Sequence, residues 1–324
     1  MRAVLIVNPT ATSTTPAGRD LLAHALKSRL QLTVEHTSHR GHGAELGQAA
    51  VEDGVDLVVV HGGDGTVSGV VNGMLGRPGA STNGPAGPIP AVAVVPGGSA
   101  NVLARSLGIS KDPVAATNQL IQLLDDYRRH RTWRRIGLID CGERWAVLNA
   151  GMGVDAEVVA AVEAQRDKGV KVTPLRYWRV AVPITVAFSR REPTLSLELP
   201  GRDPVPGVHF AWVSNTSPWT YSNNRPLVTN PGCTFESGLG VFAVTNMKVF
   251  PTLRLLGQIL SKGPKSNVKQ LVRDDDAPCL KVTSTGAPAA CQFDGDYLGV
   301  RETMTFRSVP DALPVVAPPG KNHI

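Results

Sequence analysis

The sequence predicts an α/β protein of two domains, a doubly wound parallel sheet followed by a mainly antiparallel β-sandwich domain. Three observations predict it. Up to about residue 130, short apolar runs alternate with helix-period segments, the pattern of a parallel sheet covered by helices. Two glycine-rich turns, Gly62-Gly-Asp-Gly-Thr66 and Pro96-Gly-Gly-Ser-Ala-Asn101, each follow such a run directly. From about Arg134 helical periods become rare, and short strands separated by Gly, Pro and Asn predominate. The predicted domains are 1–135 and 136–304.

Each element has its own signal. Ala3–Val7 is an apolar first strand. Gly18–Leu30 sets Leu21, Leu22, Ala25, Leu26 and Leu30 on one side of a helix. Leu32–Glu35 is a second strand and Ala44–Val51 an alanine-rich helix. Asp56–Val60 has the continuous apolar character of a strand buried on both faces. After the first glycine turn, Val67, Val70, Val71, Met74 and Leu75 repeat with a helical period. Arg77–Pro90 is a loop rich in Gly, Pro, Ser and Asn, and Ala91–Val95 another buried strand. Val102–Leu107 and Pro113–Leu124 are helices, the latter with Asp112 as cap and proline at its first position. In the second half, strands are expected at Arg144–Asn149, Thr194–Glu198, His209–Ser214, Val241–Thr245 and Leu280–Thr283. Helices are expected at Glu157–Gln165 and Leu253–Ser261, with an apolar stretch over Leu175–Phe188.

In a doubly wound sheet the loops after the strands, here Asn8–Thr10, Thr37, Gly62–Thr66 and Gly97–Asn101, converge on one crevice. Glycines admit close approach of backbone to ligand, and free amides at a helix start attract phosphate. Asp64 cannot hold an anion, so its natural partner is Mg²⁺ or a hydrogen-bond donor. A tight turn with Asp64 as helix cap is the bland alternative.

Composition excludes several classes. With 324 residues, 42% of them hydrophobic, the chain has material for sizeable cores and no disorder signature. The run Val180–Phe188 contains Pro183 and is too short to span a bilayer. The amino terminus leads straight into Asn8-Pro9 and is expected to be a strand, not a signal peptide. Cys141, Cys233, Cys279 and Cys291 are scattered without a C-x-x-C pair, which suits thiols in a reducing cytoplasm better than zinc. A net charge of +6 favours anionic partners without choosing among ATP, acidic headgroups and nucleic acid. Gly151-Met-Gly-Val-Asp-Ala156 matches a dinucleotide pattern but lacks the acidic residue about 20 positions on, so a tight strand-to-helix turn is the better reading. There is no Walker A sequence and no serine elbow. The basic run Arg128–Arg135 reads as a solvated face.

Taken in order, the motifs resemble the diacylglycerol kinase catalytic domain, a family that includes bacterial diacylglycerol kinases and sphingosine kinases. The residues that carry the likeness are Asn8-Pro9, Gly62–Thr66 with Val71-Asn72-Gly73, and Pro96–Asn101 with Ala104-Arg105 and Leu107-Gly108-Ile109. They continue with Ile139-Asp140-Cys-Gly142, Asn149–Ala156, Asn215, Phe235-Glu-Ser-Gly238 and Gln292-Phe-Asp-Gly-Asp296, over almost the whole chain.

The resemblance implies an ATP-binding first domain, with Asn8, Pro9, Thr10, Thr37, Gly62, Gly63, Asp64, Gly65, Thr66, Ser68, Gly98, Ser99 and Asn101 as candidate nucleotide residues. It implies Asp296 as general base, with Asp in place of the commoner Glu, and Asp140 in the active-site magnesium network. It further implies that the last residues, about 305–324, return to the first domain, with Thr305–Val309 adding a strand. ATP and Mg²⁺ are the expected cofactors, with Asp64 and Glu236 as metal candidates. Two departures stand out: Asn101-Val-Leu103 lacks an acidic residue that many bacterial members carry there, and Glu236-Ser-Gly238 replaces their Asp-Asp-Gly metal loop.

The implied activity is transfer of the γ-phosphate of ATP to a lipid hydroxyl, diacylglycerol first, by a cytoplasmic protein in peripheral contact with the inner membrane face. Leu175, Tyr177, Trp178 and Val182 near Arg176 and Arg179 are the expected membrane-facing stretch, or else a core helix. The alternatives are a sphingoid or other lipid-alcohol kinase, an NAD kinase sharing Gly-Gly-Asp-Gly, and a non-catalytic lipid-binding protein of the same fold. No nucleic-acid partner is expected, and the oligomeric state is open, a homodimer included.

Overall fold

The structure, a computed structural model, describes residues 1–79, 88–168, 170, 174–222, 224–260 and 268–320. The centre of the Arg77–Pro90 loop and Ser261 therefore lie outside the described residues. The chain divides into two compact units. One holds Met1–Leu138, Gly142–Val147 and Pro310–Ile324; the other holds Ile139–Cys141 and Leu148–Val309.

The first unit begins β1 (Arg2–Val7), α1 (Pro16–Lys27), β2 (Gln31–His36), α2 (His42–Glu52), β3 (Leu57–Gly62), α3 (Asp64–Leu75) and β4 (Ala91–Pro96). It continues with α4 (Val102–Ser106), α5 (Pro113–His130), β5 (Arg134–Asp140) and β6 (Trp145–Ala146). The strands β2-β1-β3-β4 lie in that order and pair in parallel. Every residue of β3 and β4 is buried, as their unbroken apolar runs require. Right-handed crossovers send α1 to one face and α2 and α3 to the other, and α1 accordingly meets α5 while α2 meets α3. The α2–α3 approach is backbone on backbone. A Cβ on Gly73 would stand 1.9 Å from the Ala44 carbonyl oxygen, and one on Gly47 2.3 Å from that of Val70. Asn72 beside it ties α3 to β6: its Nδ2 donates to Trp145 O and its Oδ1 accepts from Trp145 N, both at 2.9 Å.

Three boundaries move for local reasons. α1 begins earlier than expected because Thr15 caps it, accepting from Gly18 N, with Pro16 leading. It also ends at Lys27, short of Leu30. α5 runs on through Arg128, Arg129 and His130 and stops where Arg131 turns left-handed at φ 59°. The basic run is thus part helix, with Arg128 and Arg129 paired to Asp125 and Asp126 three residues back. Its later arginines hold the returning terminus: Arg134 donates to Pro318 O and Arg135 to Asp311 O.

The second unit holds β7 (Asn149–Met152), α6 (Val154–Asp167), α7 (Pro174–Phe188), β8 (Leu195–Glu198), β9 (Val205–Val208), β10 (Phe210–Ser214), β11 (Thr220–Ser222) and β12 (Arg225–Leu227). It then has β13 (Leu239–Val244), α8 (Val249–Ile259), β14 (Leu271–Ala277), β15 (Cys279–Ser284), β16 (Ala289–Phe293), β17 (Asp296–Arg301) and β18 (Thr303–Val315). Six of the strands form one antiparallel sheet in the order β14-β13-β10-β7-β16-β17. A second antiparallel group runs from the first half of β18 through β15 and β8 to β9. Phe293 of β16 and Phe306 of β18 meet edge to face between them, ring centroids 6.4 Å apart.

Two expectations are corrected here. Thr305 pairs with Lys281 of β15, and Thr305–Val309 belongs to the second unit, so this segment does not return to the first unit. The later end of β18 does, with Val315 paired in parallel to Val92 of β4. The strand expected over Arg144–Asn149 is broken between β6 and β7, because the Leu148 and Asn149 amides are taken by the Asp294 carboxylate at 2.8 and 3.0 Å.

Candidate active-site elements

In the first unit the switch point of the sheet falls between β1 and β3, neighbouring strands whose helices leave to opposite faces. Asn8, just past β1, spans it: its Nδ2 donates to Thr66 Oγ1 at 2.9 Å, while its Oδ1 accepts from Thr10 N and Thr10 Oγ1. α3 starts at Asp64 with Gly63, which has no side chain to cap it, as its N-cap. Thr66 N and Val67 N donate to Gly63 O at 3.0 and 3.2 Å, and the start of the helix presents the positive end of its dipole to an anion.

The second glycine turn is fitted against the first. Gly97 N donates to Gly62 O at 2.8 Å. A Cβ on Gly98 would lie 2.6 Å from Gly63 Cα, and one on Gly97 3.0 Å from Gly62 Cα. Asn101 closes this turn at φ 48°, with Oδ1 accepting from Gly98 N at 2.9 Å and Nδ2 donating to Gly98 O at 2.7 Å. Asp64 joins the two turns. Its carboxylate oxygens accept from Val102 N and Leu103 N, each at 3.0 Å, and so cap the start of α4.

The other candidates in this unit are less alike. Thr37 follows β2, and its amide donates to Val7 O at 2.9 Å. Pro9, Thr10, Gly65 and Ser99 are exposed at their turns. Ser68 is buried within the packed face of α3.

In the second unit, Asp294 and Gly295 form a two-residue hairpin loop between β16 and β17, at φ 50° and 83°, with Phe293 paired to Asp296. Two successive positive φ values are what a type I′ turn needs, and Asp-Gly supplies them cheaply. The loop is fastened on all sides. The Asp294 carboxylate takes two amides, Asp294 N donates to Asn149 O at 2.8 Å, and Gly295 N donates to Gln292 Oε1 at 3.0 Å. Gln292 is aimed in turn by its Nε2, which donates to Asp155 Oδ2 at 2.9 Å and Asn149 Oδ1 at 3.2 Å. Burial pushes the Asp155 carboxyl up to about 7, and the Gln292 bond opposes that rise. Asp296, at the first position of β17, is held at the end of this frame. Asp140 lies 3.9 Å from the Arg307 guanidinium.

Asp155 and Gln292 form a buried pair that neither spacing nor residue type announces in the sequence. His61 was missed too. It is buried, its Nδ1 meets Val95 O at 3.1 Å, and burial lowers its pKa. Among the described residues no three Asp, Glu, His or Cys side chains gather into a metal site. Glu236 is exposed on a loop held by aspartates of β14: Asp276 accepts from Gly238 N at 2.6 Å and Asp275 from Gly232 N at 2.9 Å. The dinucleotide-like glycines serve packing, for a Cβ on Gly153 would stand 2.9 Å from His209 O.

Comparison with known proteins gives these elements a context. Residues 2–126 match the diacylglycerol kinase catalytic domain. Over 316 residues the chain is 26% identical to the protein named "probable lipid kinase YegS-like" of Stenotrophomonas maltophilia, covering 93% of this chain and 92% of that one. Over 121 residues, 35% of each chain, it is 31% identical to the diacylglycerol kinase of Bacillus subtilis. A diacylglycerol kinase structure from Bacillus anthracis shares the fold, with a TM-score of 0.71 over 98% of this chain and 97% of that one, at 17% identity.

Proposed function

Residues 2–126 place the chain in the diacylglycerol kinase catalytic-domain family, and from that premise we propose that it is a lipid kinase transferring the γ-phosphate of ATP to a lipid hydroxyl. The observation that carries the reading is the paired glycine turn. Two backbone segments approach too closely for any side chain, at the start of a helix whose N-cap is a glycine. That is a cradle for a polyphosphate rather than for an apolar or cationic ligand. The full-length likeness to a protein named as a lipid kinase supports a lipid as acceptor.

In this reading Asn8, Thr10 and the amides after Gly63 hold the triphosphate, and Asp64 keeps the second turn registered against the first. Asp296 takes the proton from the lipid hydroxyl. The hydroxyl oxygen then forms the new bond to the γ-phosphorus while the bridging β–γ bond breaks, and ADP leaves. Magnesium supplies charge neutralisation to such reactions. Both Asp64 oxygens already accept amides and no multi-carboxylate cluster is present among the described residues, so any ion would depend on the nucleotide's own phosphates. Diacylglycerol is the proposed acceptor. Sphingoid bases are the second reading, favoured by Ser99-Ala-Asn101, whose Ser-x-Asn form is closer to the sphingosine kinases.

The test is incubation of the purified protein with [γ-³²P]ATP and a total lipid extract. Label should move into a chloroform-soluble product that co-migrates with phosphatidic acid. Label in a phosphorylated sphingoid base would select the second reading. Label on added NAD, or none beyond blank, would contradict lipid phosphorylation.

A further inference from the structure

α8 is amphipathic in an uneven way. Leu255 and Ile259 enter the core with Phe242, Val244 and Leu271. Four other large apolar side chains point to solvent: Phe250 is 87% exposed, Leu253 59%, Leu256 41% and Leu260, at the C-cap, 42%. Their spacing, i, i+3, i+6 and i+10, lines them along one side of the helix. A stripe of this kind marks an interaction surface, whereas scattered exposed leucines would not.

The charge around it indicates the partner. The helix itself, Val249–Ile259, carries Arg254 and no Asp or Glu, and Lys248 stands at its N-cap. Lys248 and Arg254, next to and within α8, are both exposed. An apolar stripe among cations suits the interface of an anionic bilayer, where side chains enter the acyl boundary and cations stay at the headgroups. Two copies meeting through this face would bring like charges together, and a nucleic acid would leave the stripe wet.

The expected membrane-facing stretch in α7 exposes Val182 beside Arg176 and Arg179, as expected, but among the described residues presents fewer large apolar side chains than α8. Tyr177 and Val180 pack against Val158, Val162 and Ala181, and the side chains of Leu175 and Trp178 lie outside the described residues. We propose that the outer face of α8, Phe250, Leu253, Leu256 and Leu260 with Lys248 and Arg254, is the surface by which this protein lies on an anionic bilayer. The proposal deepens the lipid-kinase reading by naming where the chain meets its substrate's source.

The test is co-sedimentation of the full chain with phosphatidylglycerol–phosphatidylcholine vesicles, beside turnover of a water-soluble short-chain diacylglycerol. The wild type should bind these vesicles at low salt and pure phosphatidylcholine far less. Phe250→Ser/Leu253→Ser should weaken binding by about 10–100-fold, and Lys248→Glu/Arg254→Glu should remove the preference for anionic lipid. Both should keep their activity on the soluble substrate. Wild-type vesicle binding by the serine variant would overturn the proposal, as would a wild-type dimer that this variant dissolves. Vesicle binding lost in the serine variant, with no turnover of any lipid by the wild type, would support the surface and refute the kinase reading instead.

Discussion

At the scale of single residues, three aspartates of one motif grammar do three different jobs. Asp64 accepts two amides and fixes a turn. Asp294 accepts two amides and fixes a hairpin. Asp155 is buried against a neutral amide, and its carboxyl is held up near 7. The last has a consequence for stability. A carboxyl that keeps its proton longer in the folded than in the unfolded chain stabilises fully below the ordinary carboxylate range. That contribution is lost as pH rises toward about 7. Asp155→Asn should therefore flatten this part of the pH dependence, which thermal unfolding at pH 5 and pH 8 would measure in both proteins. His61 and His209, whose pKa values burial lowers, act with the opposite sign and are common to both. An unchanged difference between the two pH values would contradict the assignment.

At the scale of elements, glycine decides where helices and turns can touch. Gly73→Ala would drive a Cβ to 1.9 Å from the Ala44 carbonyl oxygen, and overpacking against backbone costs about 1–3 kcal/mol or more. Gly257→Ala in α8 meets nothing within 4 Å and should stabilise by roughly 0.5–1 kcal/mol through helix propensity. Urea unfolding of both variants checks the pair, and equal effects would contradict the packing account. The elements themselves were largely legible. β3, α3 and β4 announce themselves by unbroken apolar runs, a helical period and the turns between them, and their strand order follows from short right-handed connections. Less legible were β14, with three aspartates in a row, the short buried β16, and β17, which has no fully buried residue. β14 pairs with β13 and β16 with β7 across long stretches of sequence, and no local pattern encodes either, whereas the β16–β17 hairpin is marked locally by Asp294-Gly295. The break between β6 and β7 was illegible for the same reason, since its cause sits at Asp294.

At the scale of the whole molecule, the glycine turns belong to one compact unit and the Asp294–Asp296 hairpin to the other. No helix among the described residues is long and apolar enough to cross a membrane. The proposed chemistry then assigns nucleotide binding and proton removal to separable parts of the chain. That separation gives the most direct test of the account: turnover of diacylglycerol in mixed micelles by the wild type and by Asp296→Asn, with ATP affinity measured on the same samples. The account predicts phosphatidic acid formation by the wild type, a loss of ~10²-fold or more in the variant, and nearly unchanged ATP affinity in both. Wild-type turnover by Asp296→Asn, or an equal fall in ATP affinity and rate, would contradict it.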